Sequence, residues 1–181
     1  MSCWATINGK KTCLACRDAI LAEAARENVA GIPGKAPWAA AFGAAVACGA
    51  AWATLSALTG SEIGFAAVGI GWAVAHATRK AAGGRRGVKL QRLARGASLL
   101  GLFLGKYFIV IHALASGAAK HGIEISPFDP RLAVIFVNHL PEWFSIYDLL
   151  WAFLAFGAVA RVVGPARVAV SDARRNPAPA A

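Results

Sequence analysis

The chain has 181 residues, a formal net charge of +10, 57% hydrophobic residues and only 15% charged ones. A soluble domain carries about 45–50% apolar and about 25% charged residues, so this composition argues against an ordinary soluble fold and for the bilayer. The excess of Lys and Arg leaves nucleic acid, anionic lipid and topology signals open. Where those cations sit decides between them.

Residues 1–36 are polar and mixed, and read as a cytoplasmic segment. RDAILAEAARENVA, Arg17 to Ala30, is rich in good helix formers and predicts a short helix. GIPGKAP, Gly31 to Pro37, is a breaker cluster. The head holds Cys3, Cys13 and Cys16, with Cys48 further on. TCLAC places Cys13 and Cys16 as a CxxC pair in front of a helix, where a thiol pKa falls. A metal finger needs four ligands. Cys3, Cys13 and Cys16 are three, and His76, His112, His121 and His139 all lie in or beyond the second span. Zinc at the three cysteines and redox chemistry at the CxxC pair both remain open against an inert role. No other cofactor is expected.

The first span is PWAAAFGAAVACGAAWATLSALT, residues 37–59, uncharged and long enough for a ~30 Å core. Ala45-Val46-Ala47-Cys48 loosely matches a lipoprotein cleavage site, but the long polar segment before it argues against processing there. After a tight turn, IGFAAVGIGWAVAHATRK forms a second, shorter span over 63–80, lengthened by snorkelling Arg79 and Lys80. Residues 81–96 form a basic loop and 97–117 a third span. An outer connection, 118–141, includes LAVIFVNHL, Leu132 to Leu140. That stretch is too short to cross and belongs at the interface or in a re-entrant dip. The fourth span covers 142–164, and 165–181 is a basic, Pro/Ala-rich tail without expected structure.

The fold class expected is therefore all-α, a polytopic membrane protein with a four-helix bundle. Lys and Arg set its orientation. The N-terminal segment, the basic loop and the tail are rich in them, and the first turn and the outer connection are poor. Both termini then face the cytoplasm, which an even number of crossings also requires. The cations so placed are topology determinants of a cytoplasmic (inner) membrane protein, not a nucleic-acid surface. Arg85, Arg86, Lys89, Arg92 and Arg95 also suit contact with anionic lipid headgroups.

TGSEIGFAAVGIGWAVAHATRKAAGGRRG, Thr59 to Gly87, resembles the core of a group of small bacterial membrane proteins of uncharacterised activity. In these a span ends in a Thr-Gly turn with an acidic residue and Ile-Gly. A Gly-rich span with a Trp follows, then Arg/Lys and a Gly-Gly-Arg loop. GLFLGKYFIVIH, Gly101 to His112, is compatible with their third span. The resemblance covers roughly residues 36–117. It implies the same multi-span architecture and an N-terminal zinc-ribbon or B-box-like finger, of which this head keeps an incomplete ligand set. It carries no activity.

Lys106 and His112 are the polar residues that the third span has to explain. A cation at mid-membrane costs about 2.5–3.5 kcal/mol on insertion scales. Lys106 falls on a face with Leu99, Leu102, Val110 and Ala113, whereas His112 shares a stripe with Gly101, Gly105 and Phe108. Asp148 and Glu62 are the candidate counter-charges. Lys106 either snorkels, pairs with Asp148 to pin two helices, or lines a water-filled path. His112 and His76 read as interhelical hydrogen-bonding residues. Gly101 and Gly105 form a GxxxG packing face. No nucleophile elbow, P-loop or HExxH is present, and Ser56, Ser98, Ser116 and Ser145 have no evident base. The expectation is a non-enzymatic scaffold or accessory component, forming a homo-oligomer or binding a membrane partner through the GxxxG face and the basic loop. The alternative is a small ion or solute transporter or channel using Lys106, His112 and Asp148.

Overall fold

The computed structural model describes residues 4–7, 10–60, 64–122, 126, 129–166, 168 and 170–172. Strands β1 (Trp4–Ile7) and β2 (Lys10–Cys13) form an antiparallel hairpin, paired from Trp4 opposite Cys13 to Ile7 opposite Lys10. Strand β3 (Val170–Asp172) pairs with the other edge of β1. This corrects two expectations: the head is more than a short helix, and the tail is ordered at 170–172. A two-stranded hairpin is marginal alone, and a third strand from the tail makes it viable. The termini therefore meet in one sheet.

Helix α1 spans Leu14–Glu27, displaced towards the N-terminus from its expected 17–30. Cys13 is its N-cap, accepting from the Cys16 backbone N–H at 3.3 Å. Asn28 leaves the helical conformation because the backbone there pairs elsewhere. Arg86 N–H donates to the Glu27 carbonyl at 2.7 Å, and Val29 N–H donates to the Arg86 carbonyl at 2.8 Å.

The bundle follows. Helix α2 is Ala36–Thr59, ended by Gly60 at φ 65°. Helix α3 is Phe65–Ala81, and α4 is Val88–Ala119. Helices α5 (Pro130–Asn138) and α6 (Leu140–Trp143) are short, and α7 is Ile146–Val163. Helices α2, α4 and α7 are long and apolar enough to cross a membrane. Helix α3, at 17 residues, is about 26 Å long, slightly under the ~30 Å core. Residue 63, the start of the expected second span, and turn residues 61 and 62 before it lie outside the described residues.

Two boundaries move for clear physical reasons. The expected basic loop 81–96 shrinks to 82–87, because α4 begins at Val88. Leu90, Leu93, Ala94 and Ala97 repeat at helical spacing and are buried, so Lys89 and Arg92 between them ride on the exposed face of an amphipathic helix start. The expected fourth span 142–164 is broken at Phe144 and Ser145. Asp148 draws its carboxylate back onto the Ser145 N–H at 2.8 Å and starts a new helix there.

Helix α2 packs along α4, and α3 packs along α7 and also against α2 and α4. Both principal seams are made of small residues. A Cβ on Gly49 would stand 2.6 Å from the Gly101 carbonyl oxygen, and one on Gly105 would stand 2.5 Å from the Trp52 ring. A Cβ on Gly71 would stand 2.6 Å from the Ala155 carbonyl oxygen, and Gly64 leaves room for the Trp151 indole. In lipid there is little hydrophobic gain on helix association, so close backbone approach supplies it instead. Gly101 and Gly105 pack against α2 of the same chain. That face is not free for a second copy or a partner.

Helix α5 packs against the middle of α4. Its N-cap Asp129 accepts from the Arg131 N–H at 2.9 Å. Phe136 is buried edge-on to Phe103 at 5.4 Å and to Tyr107 at 5.2 Å.

Candidate functional site

The central polar feature is the pair between α4 and α7. Lys106 Nζ lies 3.7 Å from Asp148 Oδ2, with side-chain exposures of 8% and 21%. The same carboxylate oxygen accepts from the Ser145 N–H at 2.8 Å and the Ser145 hydroxyl at 3.2 Å. Asp148 is in the first turn of α7, where the helix dipole favours a negative charge. A carboxylate already fixed at a helix N-terminus needs no further ordering to receive an ammonium. The long lysine stem spans the depth difference between the two positions. The other candidate counter-charge, Glu62, lies outside the described residues.

The pair stands in the wall of a cavity of about 630 Å³ between α2, α3, α4 and α7. Leu99, Leu102 and Phe103 of α4 and Trp151 of α7 supply its apolar lining. Trp52 of α2 also lines it, and its indole N–H is buried with no acceptor among the described residues. An ammonium, a carboxylate and an indole donor therefore border one largely apolar chamber. Such a space suits a molecule with a small polar head and an apolar body. The sequence pointed to Lys106 and Asp148 but gave no sign of Trp52, which looks like any aromatic residue in an apolar run.

His112 is not part of this site. Its stripe continues from Gly101 and Gly105 beside the last turns of α2. His112 is exposed, beside Ser56, Ala57 and Gly60 at the end of α2, and has no hydrogen bond among the described residues. His76 likewise makes no interhelical bond among the described residues. It stacks on Trp72 of its own helix, with ring centroids 4.2 Å apart. Among the serines, Ser98 donates to the Ala94 carbonyl at 2.7 Å, and Ser145 is committed to Asp148.

The opposite end of the bundle gathers α1, the α3–α4 connection and the end of α7. Glu27 pairs with Arg79 at 3.3 Å and Arg86 at 3.0 Å. The Asn28 amide clamps Ala166, accepting from its N–H at 2.9 Å and donating to its carbonyl at 3.2 Å. Gly87 N–H donates to the Val163 carbonyl at 3.0 Å. The five cations assigned to lipid contact thus divide. Arg86 is engaged by Glu27, and Arg95 lies over the Phe156 ring at 5.6 Å. Arg85, Lys89 and Arg92 are exposed.

At the head, hydrogen bonds from the Cys16 thiol and backbone N–H hold the Cys13 thiol below its ordinary pKa, and the Cys16 thiol is raised by the same partner. Cys3, the third candidate zinc ligand, lies outside the described residues. Among the described residues, no group of three or more His, Cys, Asp or Glu side chains could hold a metal ion.

No family model, curated protein or solved structure matches the chain.

Proposed function

We propose that the protein is a four-span, non-enzymatic component of the cytoplasmic membrane, with α3 as the second span and both termini and the basic turn of α4 in the cytoplasm. The positive-inside distribution supports this orientation, as does the meeting of both termini and the α3–α4 connection at one end of the bundle. In this reading Lys106 and Asp148 are a latch that fixes α7 on α4 at a defined depth, a use for which buried ion pairs are suited. The observation that carries it is the 3.7 Å pair, held on a helix N-terminus and largely out of solvent. With the Gly101–Gly105 face occupied by α2, an accessory role falls to the remaining lipid-facing surfaces.

A second reading, a small solute or ion pathway, is favoured by the chamber of about 630 Å³ beside the pair and by the acceptorless Trp52 N–H on its wall. Thiol labelling separates the two. Lys106→Cys and, with the pair left intact, Leu102→Cys are made in a version without the native cysteines. Both are treated in intact membranes with a small polar maleimide. The latch reading expects neither to react while the protein stays inserted. Rapid reaction at both positions overturns it in favour of a watered path.

A further inference from the structure

At the basic end, the first turns of α2 and α4 enclose a groove of about 380 Å³. Its α2 wall is Trp38 and Phe42, stacked with centroids 6.1 Å apart and 46% and 40% exposed. Its α4 wall carries Lys89 and Arg92, three residues apart on one helix face. One turn deeper, Gly96 borders the groove with nothing within 4 Å of where its Cβ would stand.

The neighbouring cations explain what is special about these two. Arg79 and Arg86 are held by Glu27, and Arg95 by Phe156. Lys89 and Arg92 have no acidic partner among the described residues. Lys89 also sits in the first turn of α4, where the helix dipole adds positive potential, and Arg92 follows directly in the second. A topology signal needs cations anywhere on this side of the membrane. It does not need them at the mouth of an apolar slot walled by aromatic rings.

We propose that this groove is a discrete binding site for an anionic phospholipid, which goes beyond the latch reading and rests only on its membrane orientation. The phosphate lies between Lys89 and Arg92, and one acyl chain descends past Trp38 and Phe42 over Gly96. An acyl chain gains little by leaving its neighbours for a protein groove, so the preference for this lipid comes from charge and the seating of the chain from shape.

The test is native mass spectrometry of the full chain released from nanodiscs of mixed phosphatidylglycerol and phosphatidylcholine, scoring the retained lipid. Membrane insertion of every variant is followed in parallel by resistance to alkaline extraction. Wild type is expected to retain phosphatidylglycerol. Lys89→Gln and Arg92→Gln should each weaken the preference by about fivefold, as expected for one cation near a charged leaflet. Gly96→Leu changes no charge and has room in the free protein, and should abolish retention by filling the floor. Arg85→Gln, exposed but outside the groove, should match wild type. The proposal is overturned if the wild type shows no preference, if Gly96→Leu retains the lipid unchanged, or if Arg85→Gln loses as much as Lys89→Gln. Failure of insertion itself would overturn the membrane orientation together with this site. Normal insertion without retention would overturn the site alone.

Discussion

Lys106 of α4 reaches Asp148 of α7 at 3.7 Å, although the two lie 42 residues apart and Asp148 already caps its own helix. Removing the Asp148 charge takes an ion-pair partner from Lys106, whose side chain is only 8% exposed. Asp148→Asn should therefore cost about 2–3 kcal/mol, less than the about 3–5 kcal/mol of a fully buried broken pair, since Asp148 is partly exposed. Lys106→Met with Asp148→Leu should recover part of that loss, because neither charge is then stranded. Thermal unfolding in detergent of Lys106→Met, Asp148→Leu and the double measures the coupling. Strict additivity would mean that the pair contributes nothing.

The glycines divide into those under contact and those in the open, and substitution should follow that division. Gly49→Ala and Gly71→Ala put a Cβ against backbone at 2.6 Å and should each cost about 1–3 kcal/mol by overpacking. Gly43→Ala and Gly69→Ala meet nothing within 4 Å and should be tolerated. Unfolding midpoints check this. If Gly49→Ala melts like Gly43→Ala, α2 does not pack on α4 as described.

Asn28 holds Ala166 by two hydrogen bonds from the far end of the chain. Asn28→Ala should loosen the segment after α7 while leaving the bundle intact. Limited proteolysis should cut that variant after residue 164 several times faster than wild type, at an unchanged melting temperature. Glu27→Gln, which frees two partly exposed arginines, should change stability by about 1 kcal/mol at most, and less at high salt.

Cys13 and Cys16 should behave differently towards alkylating agents. A lowered pKa means more thiolate at a given pH, so Cys13 should react with iodoacetamide at a lower pH than Cys16, whose pKa is raised. Cys16→Ala removes the thiol donor and should move the Cys13 profile up towards that of an ordinary thiol. Rate against pH for Cys13 alone, with and without Cys16, reads this directly. Identical profiles would show that the Cys16 thiol does not set the reactivity of Cys13.

The sequence by itself determined what depends on local composition. Uninterrupted apolar runs predict membrane-length helices over α2 and the core of α4, and Gly and small residues mark the packing faces. The pairing of Lys106 with Asp148 was also foreshadowed, because a mid-membrane cation needs a partner and few were on offer. Only the tertiary structure decided who meets whom. GxxxG specifies that something comes close, and the fold made that something α2 of the same chain. His112 keeps its place on the glycine stripe beside the last turns of α2, yet its side chain is exposed. The tail joins the N-terminal hairpin through backbone hydrogen bonds, which leave little trace in side-chain pattern. Likewise, the division of the cations between Glu27, Phe156 and an open groove depends on neighbours distant in sequence. Local periodicity records which face of a helix is buried, and contact between distant segments is settled only when the helices pack.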